Sequence, residues 1–390
     1  MKKILRRMLQ VIYLIKYVIS LIVAPFFRKK YNDVWLIAER GDEARDNGFY
    51  FYEYLKKNHT NLNIKYIIKK DSYDLKRINK KDVVYKSSFK HFVIFINAKY
   101  LISTHHMGYS PDSGMFWKLD DRNLIYCRGK RIFIQHGIIY NYLPSLVNKK
   151  IDLFVTSSPM EYKFILDNFG YNEDIVKLTG LCRFDDLNSE SERFILLMPT
   201  WRQYLFYSSD NEFKESSYCK NWLSFINSKD LEKILLKYNV KILFYPHYEI
   251  QKRIKLMNIN NKMVKICKSS DYDIHTLLKK CSMLITDYSS TFFDVAYQKK
   301  PVLFFHFDYD AFYSKHYEKG YLDLKKGDFG VSCKSLNILI KNVEKILMNN
   351  FKNEDKYVKF ADKFYGFNDQ NNCLRLYNEI LKKWGVRCEK

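Results

Sequence analysis

The chain has 390 residues, 47% of them hydrophobic and 17% aromatic, with only 13 glycines and 7 prolines. That composition excludes a disordered, collagen-like or low-complexity polypeptide, and the length suits two cores rather than one. The formal net charge is +23, and the first 30 residues hold eight lysines and arginines and no acid. The charge excess at one end points to an anionic surface, a membrane rather than a nucleic acid, because zinc-finger spacing, RNP-like strands and a basic region feeding a heptad are all missing.

Residues 1–30 are predicted to be a basic amphipathic membrane-association segment. An apolar helix candidate is bracketed by Lys2, Lys3, Arg6 and Arg7 at one end and by Arg28, Lys29 and Lys30 at the other. Lys16 divides it, and residues 17–27 alone fall short of the roughly 20 needed to cross a bilayer. A helix lying in the interface can snorkel Lys16 and meet anionic headgroups with its flanks, which places the protein peripherally on the cytoplasmic side of the cell membrane. A true span and a soluble packing helix are the alternatives. Pro25 ends the segment.

Downstream, nearly continuous apolar runs at residues 33–39, 64–69, 100–104, 131–135 and 153–158 read as parallel strands covered on both faces. Helical spacing at 48–58 and 159–170 separates them, the second closing on Gly170 as a C-cap. Residues 31–187 therefore form a first doubly wound α/β domain. A polar stretch at 186–192 starts the crossing to a second α/β domain, 188–390. Its strands are expected at 194–198, 240–245, 264–268, 283–286 and 301–305, its helices include 230–238 and 273–281, and its last helix, 371–384, packs back across the first domain. Two Rossmann-like domains facing a cleft, with ligands beyond the strands' carboxyl ends, are the expected architecture.

The eight cysteines, Cys127, Cys182, Cys219, Cys267, Cys281, Cys333, Cys373 and Cys388, form no CxxC pair and no zinc spacing, and read as mostly buried thiols of a reducing compartment. His105 and His106 are adjacent on a strand and point to opposite faces, so no metal site is expected.

Four constellations stand at strand exits. In Gln135-His136-Gly137 the imidazole is suited to take a proton from an alcohol near neutral pH, and the glycine permits a tight turn and close ligand approach; a structural histidine is the alternative. In Tyr245-Pro246-His247 the ring can donate to a diphosphate. In residues 285–294 a strand closes at Asp287, and Ser289 and Ser290 open a helix whose hydroxyls and unpaired amides suit a phosphate, or simply N-cap the helix. In residues 180–185 Arg183 can neutralise phosphate charge while Asp185 orients it, unless the two form only a surface salt bridge. Neither a Walker loop nor a dinucleotide fingerprint is present.

Taken in order, QHG at 135–137, GxxRxD at 180–185, PTWR at 199–202, YPH at 245–247, TDYSSxxFD at 286–294 and KPVLFFHFDYDAFY at 300–313 resemble the CDP-glycerol glycerophosphotransferase family, which includes teichoic acid primases and polymerases. The resemblance implies a GT-B-like fold, with residues 31–187 on the acceptor side and 188–390 binding the nucleotide donor, and a membrane-associated enzyme that transfers a polyol phosphate, glycerol phosphate first, from a CDP-polyol to a hydroxyl of a lipid-linked cell-wall or capsule precursor. No tightly bound cofactor is implied. By position His136 corresponds to the family base, His247 to the residue engaging the donor diphosphate, Arg183 to the arginine between domains, and Ser289 and Ser290 to the donor-phosphate turn. Gly137, Asp185, Arg202, Asp287 and Asp294 complete the candidate substrate-binding set. Tyr248 where the family often has proline, Ile138-Ile139-Tyr140-Asn141 after the HG pair, and Lys319-Gly320-Tyr321 for RGxY leave the polyol and acceptor open. A GT-B glycosyltransferase using a nucleotide sugar, or a non-catalytic polyanion-binding protein, are the competing functions.

Overall fold

A computed structural model describes residues 2–187, 190–268, 270–315 and 318–385. Two expectations touch residues outside these limits: the thiol of Cys388 and the boundary at 187/188. The chain divides into two compact units, one comprising Met1–His136, Pro144–Asp185 and Asp369–Lys390, the other Gly137–Leu143 and Asp186–Asn368.

Unit 1 is built on a seven-stranded parallel sheet of order β3-β2-β1-β4-β5-β6-β7. The strands are β1 (Trp35–Ala38), β2 (Ile64–Ile68), β3 (Val83–Tyr85), β4 (Tyr100–Ser103), β5 (Lys130–Phe133), β6 (Leu153–Thr156) and β7 (Val176–Leu178). Every residue of β1, β4 and β6 is buried, as helices on both faces require. The helix Pro159–Asn168 starts on the Ser158 side chain, which accepts from the Glu161 amide, and the chain leaves it at Gly170, whose φ of 76° is the left-handed conformation of a helix stop. Unit 1 also holds the terminal helix Asn372–Trp384.

Unit 2 carries a six-stranded parallel sheet of order β10-β9-β8-β11-β12-β13. These are β8 (Phe194–Met198), β9 (Lys241–Phe244), β10 (Val264–Ile266), β11 (Met283–Thr286), β12 (Val302–Phe305) and β13 (Val331–Cys333). Fully buried Trp222 packs its edge against Phe225 and Phe305 in the core beneath this sheet. In each sheet the order reverses once, between β1 and β4 and between β8 and β11, and ligands of open α/β sheets bind beyond the carboxyl ends at such reversals. The short strands β3 and β13 carry too few residues to show periodicity and were not among the strands expected from the sequence, whereas β7 lies at the strand exit expected before Gly180.

The amino-terminal segment corrects one expectation. Lys16 does not interrupt the helix, which runs unbroken over Lys2–Val23. Pro25 stands at the start of the following 3-10 turn Ala24–Phe27, where its missing N–H is harmless, and helix resumes at Arg28–Tyr31. Residues 6–31 are thus long and apolar enough to cross a membrane. One stripe is docked on unit 1. The Tyr17 hydroxyl donates to the Tyr126 carbonyl (3.0 Å) and accepts from the Tyr126 amide (2.7 Å), Asn97 donates to the Ala24 carbonyl (2.8 Å), and the Tyr17 ring meets Phe116 edge-on. The opposite side leaves Leu14, Ile15, Val18, Ile19 and Ile22 exposed.

Candidate functional site

In unit 1 the loops leaving β1, β4, β5 and β7 bring together a group centred on His136. Gln135, directly before it, has a left-handed φ of 57°, costly for a residue with a side chain, and its amide is locked by donating to the Val155 carbonyl. The left-handed residue of the turn is therefore Gln135. Its strain aims the half-exposed His136 ring at Asp46, whose Oδ2 lies 2.5 Å from Nδ1. A carboxylate only accepts, so Nδ1 carries a proton whether the ring is neutral or charged, and in the neutral ring the lone pair lies on Nε2.

Asp46 is held from three sides. It N-caps the helix Asn47–Asn58 by accepting from the Asn47 amide (2.8 Å), and its Oδ1 accepts from Arg183 Nη1 (2.8 Å). The same Nη1 donates to the His136 carbonyl (2.6 Å), while Asn47 ties the Arg183 amide (3.0 Å) to the Gln135 carbonyl (2.9 Å). Burial pushes the Asp46 carboxyl up, but the His136 and Arg183 charges and the hydrogen bonds from His136 and the Asn47 amide outweigh it and hold the group well below the carboxylate range. Its neighbour Glu39 is driven the other way, to about 8, by burial and by the Asp46 charge. Two carboxyls a short distance apart are thus split, with the charge kept on the one that faces the imidazole. His105, its ring 5.0 Å from that of His136, is lowered to about 3 by burial and so adds a neutral ring.

The folded pKa of Asp46 lies below the unfolded value of about 3.9, so the stabilisation from its pairing is complete above roughly pH 5 and is lost as pH falls through the folded value. The stability deficit of Asp46→Asn against wild type should shrink between pH 6 and pH 3 in denaturant unfolding; an equal deficit at both would rule out ionic pairing as its source.

Asp185 corrects a second expectation. It does not orient Arg183; its carboxylate accepts from the Asn372 amide (2.8 Å), Asn372 Nδ2 (2.7 Å) and the Cys373 amide (2.8 Å), capping the terminal helix. Asp46 takes the orienting role. Asp46 was missed in the sequence, although an Asp-Asn pair directly before an apolar helical run is a capping signal.

In unit 2 the candidates follow the carboxyl ends of the neighbouring strands β9, β8 and β11. His247 caps the short turn Tyr248–Gln251, its Nδ1 accepting from the Glu249 amide (3.3 Å), which puts the proton of the neutral ring on Nε2. Its ring stacks on Trp201, centroids 5.8 Å apart and 16° from parallel. Ser289 and Ser290 are half-buried, and the Ser289 hydroxyl pairs with that of Thr291 (2.9 Å). The expected free amides lie elsewhere than anticipated: those of Phe292, Phe293 and Asp294 are taken by the carbonyls of Ser289, Ser290 and Thr291 at 3.2 Å each, while among the described residues those of Ser289 and Ser290 have no acceptor.

Arg202, Asp287 and Asp294, expected among the substrate-binding residues, are fully buried. Arg202 Nη2 lies 2.9 Å from Asp287, its Nε donates to Asp308 (2.8 Å) and its Nη1 to the Thr200 carbonyl (2.7 Å), with Tyr218, Tyr288, Phe307 and Phe312 around the guanidinium. Asp287 also accepts from the Thr200 amide (2.7 Å) and the Tyr288 amide (2.6 Å). These residues clamp the loop after β8 to the turn after β11 and so set the position of the two serines. Buried His306, lowered to about 4 by burial, faces the Asp287 carbonyl at 3.1 Å and joins the same clamp.

Gly137, half-buried, already belongs to unit 2 although His136 belongs to unit 1. The strap it opens, Gly137–Leu143, lies on the serine turn: the Tyr140 hydroxyl donates to the Tyr288 carbonyl (2.6 Å) and its ring meets Phe292 and Phe293. Gly320, in the Lys319-Gly320-Tyr321 triplet, presses on this strap where a Cβ would strike the Tyr140 carbonyl. Among the described residues no cluster of three or more metal-ligating side chains occurs.

Two parallel doubly wound units of this order define a GT-B-like protein. Solved structures share the fold: the wall teichoic acid polymerase TagF superposes with a TM-score of 0.65 at 19% identity, covering 95% of this chain and 96% of that one, and a histidine-to-asparagine variant of TagF soaked with CDPG gives 0.68 at 18%, covering 96% and 97%. The family model described as CDP-Glycerol:Poly(glycerophosphate) glycerophosphotransferase matches residues 19–382, and the chain belongs to that family. The minor teichoic acid biosynthesis protein GgaB of Bacillus subtilis is 34% identical over 376 residues, covering 92% of this chain and 41% of GgaB, so the chain spans less than half of that relative. The teichoic acid glycerol-phosphate transferase of Staphylococcus aureus is 24% identical, covering 90% of this chain and 93% of its own length.

Proposed function

We propose that the chain transfers a polyol phosphate, glycerol phosphate first, from a CDP-polyol to a hydroxyl of a membrane-linked polymer precursor and releases CMP. The carrying observation is the Asp46–His136 pair with Nε2 open, set beside the sheet reversal of unit 1. His136 Nε2 takes the acceptor's proton as the acceptor oxygen bonds to the donor's polyol-phosphate phosphorus; the bond from that phosphorus to the bridging oxygen breaks, and CMP leaves with the electron pair. Asp46, itself held by Arg183, orients the ring and stabilises the imidazolium formed. Ser289, Ser290 and His247 supply the donors that receive the diphosphate charge. Relatives named as glycerol-phosphate and ribitol-phosphate enzymes support the substrate class.

Attachment is peripheral, through the interface rather than across it, on the cytoplasmic side. The docking of Tyr17, Ser20 and Ala24 on unit 1 leaves too little free helix for a span of about 20 residues, while the exposed apolar side seats in the headgroup boundary.

The purified chain, incubated with a lipid-linked acceptor and CDP-glycerol, CDP-ribitol or UDP-sugars, should release CMP from a CDP-polyol and no UDP. UDP release would select the glycosyltransferase reading, and no nucleotide release the non-catalytic one. Ser289→Ala/Ser290→Ala should weaken CDP-glycerol binding in calorimetry by about 10-fold, two neutral hydrogen bonds at roughly 0.5–1.5 kcal/mol each; unchanged affinity and turnover would remove the serine turn from the donor site.

A further inference from the structure

Unit 1 carries a cavity of about 550 Å³ that the transfer reaction does not use, lined by residues 127–131, 148–152, 170–171 and 175. It opens at the amino-terminal ends of β5, β6 and β7, whereas His136 follows the carboxyl end of β5. Five basic side chains line it against one carboxylate, Asp152. Three of the five are partly compensated: Arg131 lies 2.7 Å and Lys150 3.6 Å from Asp120, and Lys149 lies 2.7 Å from Asp121. Arg128 and Lys130 are exposed and have no carboxylate partner among the described residues.

The wall is preformed. The Tyr171 hydroxyl donates to the Leu146 carbonyl (2.6 Å) and accepts from the Lys149 amide (3.1 Å), the Asn148 amide donates to the Phe169 carbonyl (2.9 Å), and Gly170 stands where a Cβ would run into Asn148. The cavity also adjoins the amino-terminal helix. Tyr126, one residue before the wall, is the backbone partner of Tyr17, and both Leu124 and Tyr126 are exposed, as are Val18 and Ile22 on the helix. Apolar side chains beside uncompensated basic ones match the layering of a membrane surface, acyl chains under phosphates.

We propose that this cavity receives the phosphate of an anionic phospholipid headgroup, with Arg128 and Lys130 as its main ligands. The inference rests on peripheral attachment through the amino-terminal helix and adds a lipid preference to it.

The full chain is sedimented with phosphatidylcholine vesicles and with vesicles one-third phosphatidylglycerol. Wild type should prefer the anionic vesicles, and Arg128→Gln/Lys130→Gln should lose about 30-fold of that preference, at the usual strength of a basic residue near an anionic leaflet. Lys233→Gln/Lys241→Gln, the same charge change on exposed residues of unit 2, should keep it. Val18→Ser/Ile22→Ser should weaken binding to both vesicle types. Equal wild-type binding to both vesicles overturns the cavity site and leaves attachment standing; binding to neither overturns both. An undiminished preference in the Arg128/Lys130 variant, an equal loss in the unit 2 control, or competition by millimolar glycerol 1-phosphate, which would mark a free-phosphate site, each overturns the lipid assignment.

Discussion

His136→Ala should lower single-turnover transfer by roughly 100-fold or more while leaving the fold and CDP-glycerol binding intact. An alcohol is a poor nucleophile at neutral pH, and a positioned imidazole lone pair can take its proton as the new bond forms. The ring is 54% exposed, so little packing is lost with it, and Asp46 keeps Arg183 as a partner at 2.8 Å. Stability should therefore change little, which separates this histidine from a structural one. With saturating donor and acceptor, the limb of the wild-type pH profile that belongs to the general base should be missing from the variant. A folded variant with wild-type rates and an unchanged pH profile would remove His136 as the base.

The second large effect is on stability. Arg202→Met should destabilise the protein by about 3–5 kcal/mol, the usual result of removing one partner of a buried ion pair. Asp287 and Asp308 would then sit buried, at 0% and 6% exposure, without the guanidinium between them. Burial already pushes the Asp287 carboxyl up even with Arg202 in contact. A group whose folded pKa lies above its unfolded value contributes most below the unfolded value and loses that contribution as pH rises, so the variant's deficit should be larger at pH 8 than at pH 5. For a unit of this size the loss corresponds to a melting temperature lower by roughly 6–20 °C. Arg202→Lys should recover only part, because an ammonium cannot bridge two carboxylates in a plane. A methionine variant that melts within a degree of wild type would show that the clamp contributes no net stability.

Local pattern was enough for most of the framework. The apolar runs at 194–198 and 283–286 are strands with those very limits, and the segments at 230–238 and 371–384 are helices within one residue, because burial on both faces and helical spacing each leave a periodic trace in the chain. The ordered motifs carried the family, since QHG, GxxRxD, YPH and TDYSSxxFD all fall at strand exits, where parallel sheets place their ligands. What the chain order could not carry was partnership. Asp46 and His136 are 90 residues apart and meet only because β1 and β5 flank β4 in one sheet. Asp185 was read as the partner of its neighbour Arg183, yet it caps a helix 187 residues away. Arg202 and Asp287 look like ligand-binding residues in sequence because charged groups at strand ends usually are; the fold buries both and makes them a support for Ser289 and Ser290. Residue type and spacing determine which elements form and where loops emerge, whereas the choice between contacting a ligand and holding the residue that does depends on through-space distances of a few ångströms, which only the packed sheets decide.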